Sequence, residues 1–380
     1  MATPDLDSLL QGGVRSQRVF VRADLNVPLA DGRIRDDSRI RASVPTLRRL
    51  IDAGARVVLA SHLGRPKGKL DPAVSLRPVA PRLAELLGSP VAFCHDCIGD
   101  DAAKAAHELS DGGVLLLENL RFHAGETAND PDFADALAGL ADAYVNDAFG
   151  TAHRAHASTV GVAERLPRRA AGDLMISELR HLQVVRDPER PLAVLEALAP
   201  HAEVLAIGGA MTYTFMAARG ESIGRSRFEP DRVDDARRVE RTAADAGRQL
   251  LLPSDHVIAE SLDADAPARV ASEIPDGWIA LDIGPETGRR YVEAAKQART
   301  VFWNGPMGMF EVAAYATGTR SLAAGLAESD ATTVIGGGDS LAAVNQLGIG
   351  NRIDHLSTGG GASLAFVQGL TLPGVAALGD

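Results

Sequence analysis

The sequence predicts an α/β protein made of two doubly wound parallel-sheet domains that face a cleft and are joined by a hinge helix. Three observations carry that expectation. At 380 residues the chain is too long for one ordinary core, given roughly 150 residues per domain. Short aliphatic runs alternate with helical periodicities throughout, as in parallel sheets covered on both faces. Several runs end in glycine clusters that open a helix, and open α/β sheets bind ligands at those carboxyl ends.

The elements follow in order. "QRVFVRADL" reads as a strand and "DDSRIRASVPTLRRLIDAG" as a helix, with Ile40, Val44, Leu47 and Ile51 on one face and Gly54 as the stop. "ARVVLAS" is a strand, "SLRPVAPRLAELLG" a helix and "PVAFC" a strand. "GVLLLEN", "DPDFADALAGLA" and "DAYVNDA" repeat strand, helix, strand. In the second half "EVLAIGG", "QLLLPSDHVI", "TVFWNG", "TTVIGGG" and "HLSTGG" read as strands, with "DRVDDARRVERTAADAG" and "TRSLAAGLAES" as helices between them. "RRAAGDLMISELRHL" reads as the connecting helix. The expected boundaries are 1–168 for the first domain, 169–186 for the helix and 187–365 for the second domain. Residues 366–380 are expected to return to the first domain.

Composition narrows the function. Aromatic residues make up only 4%, so the cores must be aliphatic. A formal charge of -11 argues against nucleic acid as a partner, while leaving room for a local basic cleft. The N-terminus has no basic-then-apolar signal pattern, and no apolar run approaches the ~20 residues of a membrane helix. A cytoplasmic setting is expected, with no membrane partner. Cys94 and Cys97 form one C-x-x-C; no second pair completes a zinc site, so both read as structural.

Polar residues gather at the ends of the first-half strands. "VRADLNVPL" carries Arg22, Asp24 and Asn26 at alternate positions, and Arg39 opens the next helix. "SHLGRPKG" supplies His62 and Arg65, "ENLRFH" supplies Arg121 and His123, and "GTAHRAH" supplies His153, Arg154 and His156. In a parallel sheet these ends open on one edge. Guanidinium forks suit carboxylate and phosphate, so the natural ligand is a small, multiply charged anion. A metal-dependent hydrolase using His62, His123, His153 and His156 is the competing reading, and the surrounding arginines disfavour it.

The second half offers "IGGAM", "WNGPMGMFE", "IGGGDS" and "STGGGAS" at strand-to-helix junctions, where backbone amides can approach phosphate. There is no Walker-type loop, and no G-x-G-x-x-G follows the first strand. Asp339 is a candidate magnesium ligand or a helix cap.

Taken together, "VRADLNVPL", "SHLGRPKG", "LLENLRFHAGE", "NDAFGTAHRAHAST", "WNGPMGMFE", "GGGDS" and "STGGGAS" resemble phosphoglycerate kinase, in the family's order and across nearly the whole chain. The resemblance implies two Rossmann-like domains and reversible phosphoryl transfer between 1,3-bisphosphoglycerate and ADP, giving 3-phosphoglycerate and ATP. Transfer would be in line, assisted by Mg2+ and accompanied by hinge closure. It further implies a triose site of Asp24, Asn26, Arg39, His62, Arg65, Arg121, His153 and Arg154. Arg39, Gly337 and Gly338 would be catalytic. Gly208, Gly209, Asn304, Glu311, Gly336, Gly337, Gly338, Asp339 and Ser340 would contact nucleotide, Glu311 at the ribose, with Asp339 holding the metal. The family is usually monomeric.

The resemblance departs in one place. The family's G-G-A-K-V-x-D-K-I segment, which brings two lysines to the phosphates, has no counterpart in "RPLAVLEALAPHAEVLAIGGAM". The only lysines are Lys67, Lys69, Lys104 and Lys296, and Ala210 replaces a further family glycine. The alternatives are a catalytically impaired or non-catalytic homologue that binds triose phosphate or nucleotide, an internally shortened active enzyme, or an arginine such as Arg190 or Arg219 reaching the phosphates.

Overall fold

A computed structural model describes residues 3–30, 32–186, 192–193, 202–263, 266–367 and 369–379. The chain divides into two compact units, Met1–Arg180 with Leu370–Asp380, and His181–Gly369.

The first unit holds β1 (Arg18–Ala23), a small hairpin of β2 (Leu29–Ala30) and β3 (Arg33–Ile34), then β4 (Arg56–Ala60), β5 (Val91–Phe93), β6 (Val114–Leu116), β7 (Ala143–Asp147) and β8 (Arg169–Ala171). Six of these form one parallel sheet in the order β5-β6-β4-β1-β7-β8. Residues on both faces of β1 are buried, which is why its run of Val19, Phe20 and Val21 does not alternate with polar residues. Val19, Val21, Val57 and Leu59 pack against Ile40, Leu47 and Leu50 of the helix Ser38–Asp52. That helix stops at Ala53, followed by Gly54 at φ +77°, as its sequence anticipates. From β1 the chain passes to β4, out to the edge strand β5 and back to β6 between them, then crosses to β7 and β8 on the other side. The winding direction therefore reverses beside β1, where such sheets open a crevice at their carboxyl ends.

Residues 169–171 differ from expectation. They form the edge strand β8 rather than the start of a helix, which runs over Asp173–Arg186. Asp147 at the end of β7 accepts the Leu174 and Met175 amides at 2.9 and 3.2 Å, so the helix starts at a fixed point on the sheet. The C-terminal residues join this unit through three bonds. Gly374 N donates to Ala152 O at 2.9 Å, Asn146 Nδ2 to Gly374 O at 3.2 Å, and Arg169 Nη2 to Gly379 O at 2.9 Å.

The second unit holds β9 (Leu192–Ala193), β10 (Val204–Ala206), β11 (Gln249–Leu251), β12 (His256–Ala259), β13 (Arg269–Ala271), β14 (Ile279–Ile283), β15 (Thr300–Asn304), β16 (Thr332–Gly336) and β17 (His355–Leu356). Its main parallel sheet has the order β11-β10-β9-β15-β16-β17, with the reversal between β9 and β15. The sheet is continuous through β9, which pairs with both neighbours. Arg190 and residues 194–201, where the sequence runs short of the family motif, lie outside the described residues.

One strand expectation is corrected. "QLLLPSDHVI" is two strands in different sheets: Pro253 lies between β11 and β12, and β12 joins β13 and β14 in a separate antiparallel sheet. Among the described residues no helix is long and apolar enough to cross a membrane.

Candidate active site

In the first unit the predicted residues meet at the crevice beside β1. Asp24 accepts a hydrogen bond from Arg39 Nη1 at 2.7 Å and from the Asn26 amide at 3.2 Å. Arg39 lies in the first turn of its helix, so this pair ties the helix start to the end of β1. Asn26 Oδ1 accepts the Gly64 amide at 2.8 Å, while Arg121 Nη1 donates to the Gly64 carbonyl at 2.8 Å. The loop after β4 is thus gripped from both sides. It needs glycine there, because φ is +64° and a Cβ would lie 2.8 Å from Val74 Cγ1. Arg65, next along, is exposed and makes no hydrogen bond or ion pair with the described residues.

His62 is buried, and its Nδ1 lies 3.1 Å from Arg22 Nη2. Arginine can only donate, so Nδ1 accepts and the ring proton sits on Nε2. Burial, with Arg22 and then Arg121 nearby, holds the His62 pKa well below its ordinary value. His62 is therefore a neutral donor at neutral pH, and not a base awaiting a proton.

Arg22 corrects the alternation argument. It does not line the crevice but is fully buried behind it, donating through Nε to Ser158 Oγ at 2.8 Å and through Nη1 to the Ala23 carbonyl. Its counter-charge is Glu126, also fully buried, which accepts Ser158 Oγ at 2.6 Å and the Ser158 amide at 3.0 Å. Burial pushes the Glu126 carboxyl up, but His156, Arg22 and Ser158 together keep it below the ordinary range. His156 Nδ1 stands 3.7 Å from that carboxylate, on the inner side of the patch.

Arg121 is the most telling group. It is buried, and its Nε has no hydrogen-bond partner among the described residues. Burial, then the charges of Arg22 and Arg154, push its pKa down to about 10, despite Glu126 and Asp24. Cations crowded this way, with few fixed carboxylates beside them, suit an anionic ligand. His153 adds to it: its Nε2 accepts Arg154 Nε at 3.0 Å, while its buried Nδ1 is unpartnered among the described residues. Burial, Arg154 and His156 hold the His153 pKa low.

In the second unit the expected strand-to-helix junctions are present. Gly208 and Gly209 separate β10 from the helix Met211–Arg219, and Gly337 separates β16 from the helix Gly338–Gln346. Close approach explains the glycines. A Cβ on Gly208 would lie 2.4 Å from Met307 Sδ, and one on Gly337, at φ +84°, would lie 2.8 Å from Asn304 Oδ1. A Cβ on Gly338 would meet nothing within 4 Å, and its amide makes no bond to the described residues. At the first junction the Gly209, Thr212 and Tyr213 amides are already bonded to Met307 O, Gly209 O and Ala210 O, so the helix start after Gly337 is the freer of the two for an anion. Asn304 ends β15 with Gly336 opposite it, and Glu311 and Asp339 are exposed with no hydrogen bond or ion pair to the described residues. Ser340 differs: it is fully buried and its Oγ accepts the Gly305 amide at 2.7 Å, so it braces the "WNGP" loop. Arg219 cannot stand in for a phosphate lysine. It ends its helix, eight residues or about 12 Å from the N-terminal turn, and pairs with Glu240 at 2.6 Å.

A sequence profile described as phosphoglycerate kinase matches residues 9–370. The chain belongs to the phosphoglycerate kinase family. A phosphoglycerate kinase of Acaryochloris marina is 50% identical over 400 aligned positions, covering 100% of both chains. At least 20 of those positions therefore hold no residue of this 380-residue chain. A phosphoglycerate kinase of Rubrobacter xylanophilus is 52% identical, covering 96% of each chain. The structure of phosphoglycerate kinase from Coxiella burnetii superposes with a TM-score of 0.86 at 37% identity, covering 96% of this chain and 97% of the other.

Against that family background, two residues of the first-unit site escaped the sequence reading. Asn119 is fully buried and its side chain bonds Leu63 N, Leu63 O, Val74 O and Arg121 N, which fixes both the "SHLGRP" loop and Arg121. Glu118 holds Ser75 and Leu76 in the same way. Asn146 and Asp147, in contrast, spend their side chains on the C-terminal segment and the helix start. The four histidines of the hydrolase reading do not share one centre: His62 is bonded to a guanidinium and His123 turns to Asp96 at 2.7 Å.

Proposed function

We propose that this chain acts as a phosphoglycerate kinase, moving a phosphoryl group reversibly between 1,3-bisphosphoglycerate and ADP to give 3-phosphoglycerate and ATP. The observation that carries the reading is the crowded, partly unpartnered set of cations around Arg121, a cost that a bound triose anion would relieve. In this reading Arg65, Arg121 and Arg154 neutralise the triose charges. His62 and His153 orient it by hydrogen bonds, and Asp24 and Asn26 hold the loops that carry these groups. Arg39 serves twice, anchoring Asp24 and offering its remaining N–H groups to the transferring phosphoryl oxygens. The nucleotide lies along Gly208, Gly209, Asn304 and Glu311, its phosphates at Gly336, Gly337 and Gly338.

The uncommitted, exposed carboxylate of Asp339 suits a hard cation that prefers oxygen, so it would hold Mg2+. Bound there with the nucleotide, Mg2+ would supply charge neutralisation at the phosphate oxygens. A monomer in the cytoplasm fits an acidic chain whose two cysteines are both reduced.

With no lysine between Lys104 and Lys296, phosphate binding rests on backbone amides and Arg39. Removing one preorganised donor commonly costs ~10²–10³ in rate. Turnover is accordingly expected at about a hundredth or less of that of a lysine-bearing relative. The test is a coupled turnover assay with ATP, Mg2+ and 3-phosphoglycerate, run beside calorimetry of 3-phosphoglycerate. Measurable turnover with saturable triose binding supports the proposal. Triose binding with no turnover would reduce the chain to a binding protein, and no triose binding would remove the reading altogether.

A further inference from the structure

We infer a second, transition-metal site in the first unit, formed by Asp96, Cys97 and His123 and suited to Zn2+ or a similar borderline-soft divalent ion. It lies outside the proposed phosphoryl-transfer machinery and does not rest on that function. The ligating atoms of the three side chains lie within 4.8 Å of one another. In a tetrahedral zinc site, bonds of about 2.0–2.3 Å put ligand atoms about 3.5 Å apart, so closure needs shifts of about 1 Å. Two of the ligands already meet, with His123 Nε2 2.7 Å from Asp96 Oδ1.

The surroundings favour an ion. Asp96 Oδ1 also accepts the Cys97 amide at 2.6 Å, which fixes the turn that carries both ligands. His123 stacks on Phe133 with ring centroids 5.2 Å apart, so its ring plane is set from behind. Burial, then Asp96 and Glu126, push the Cys97 thiol well above its ordinary pKa, so an ion must displace its proton on binding. Cys97 is buried, whereas the side chains of Asp96 and His123 are 52% and 30% exposed, which gives an ion a path in and a water the fourth position. The donor set separates this ion from the kinase's magnesium, because a thiolate and an imidazole select zinc-like ions. A single C-x-x-C is no zinc site by its own spacing; here only its second cysteine takes part, with the neighbouring acid and a histidine 26 positions on.

Binding breaks the Cys97 S–H bond, forms a sulfur–metal bond and releases one proton to solvent. The hydrogen bond between His123 Nε2 and Asp96 Oδ1 is lost as the ring proton shifts from Nε2 to Nδ1, which frees Nε2 for the ion without releasing a second proton. No electron moves.

The experiment is a Co2+ titration of reduced, tag-free, nucleotide-free protein, followed by the near-ultraviolet thiolate-to-cobalt charge-transfer band. The band is expected to saturate at one equivalent, to vanish when Zn2+ is added and to survive excess Mg2+. It should be absent in Cys97→Ser and retained in Cys94→Ser. Because Cys97 is buried, the more exposed Asp96→Asn and His123→Ala serve as independent variants, each weakening Co2+ affinity at least tenfold. No band at one equivalent, a band that survives Cys97→Ser, or unchanged affinity in both surface variants overturns the assignment.

Discussion

Replacing Arg121 by methionine should make the ligand-free protein more stable and the triose-bound protein weaker. The two effects have separable sizes. The fall of the Arg121 pKa to about 10 destabilises its charged form by on the order of 2–3 kcal/mol, at 1.36 kcal/mol per unit and with a discount for solvent screening. Methionine removes that charge and keeps most of the buried stem. It also removes the 2.8 Å bond to the Gly64 carbonyl, a loss of about 1 kcal/mol. The net gain in the free protein is about 1–2 kcal/mol. For the ligand, a charge-assisted contact of about 1.5–3 kcal/mol disappears, so the Kd for 3-phosphoglycerate should rise roughly 10- to 100-fold.

The assay must see the first unit. Both tryptophans, Trp278 and Trp303, lie in the second unit, so intrinsic fluorescence is the wrong probe. Hydrogen exchange of the β1 and β7 amides reads local opening free energy where Arg121 acts. Protection should increase in the ligand-free variant, and calorimetry should show the affinity loss. If protection falls by a kcal/mol or more while triose binding is unchanged, Arg121 is a structural ion and the argument from crowded cations fails.

Three further outcomes are expected. Burial raises the Asp147 pKa to about 7 from 3.8, so its stability contribution is full below about pH 4 and is lost as pH rises through 7. Asp147→Asn keeps the acceptor for the Leu174 amide but cannot ionise; its Tm should exceed the parent's by several degrees at pH 8, with the gap closing towards pH 5. In Gly337→Ala, a residue at φ +84° with Asn304 Oδ1 2.8 Å from the new Cβ should lower nucleotide affinity and turnover at least tenfold while leaving triose calorimetry unchanged. Glu126→Gln leaves Arg22 buried without its counter-charge and should cost about 3 kcal/mol, visible as a lower Tm; an unchanged Tm would mean that the Ser158 bridge alone balances that guanidinium.

Strand ends were legible in the sequence because a buried parallel strand is an uninterrupted aliphatic run, and the residue after it is where polarity returns. That rule placed Asp24, His62, Arg121 and His153 just after the strands of the first sheet, where the structure also has them. It failed at Arg22, where strict alternation put a buried guanidinium on the ligand side. Nothing local marks Arg22 as internal, since its partners Ser158 and Glu126 arrive from more than a hundred residues away. β8 was missed for a different reason: a three-residue edge strand beginning with arginine, directly before a good helix, has no period to read. The antiparallel β12–β14 sheet was hidden behind Pro253, a signal that was present and should have split the run. Asn119 was hidden by chemistry, because a buried amide that ties loops together looks in sequence like any turn residue.

The two units differ in how their candidate residues hold charge, and that difference orders their sensitivity to change. In the first unit the proposed anion contacts are side chains whose own burial and mutual repulsion, as at Arg121, are tolerated in the free protein. Single side-chain substitutions there should therefore shift affinity and stability in opposite directions. In the second unit the candidate phosphate contacts are backbone amides at Gly336 to Gly338, with no lysine among them. Backbone dipoles cannot be removed by substitution, only displaced, so the sensitive positions are those where an added Cβ meets Met307 or Asn304. A chain that relies on fixed dipoles for phosphate has little tolerance for movement of the "WNGP" loop. The buried bond from Gly305 N to Ser340 Oγ is what keeps that loop in place.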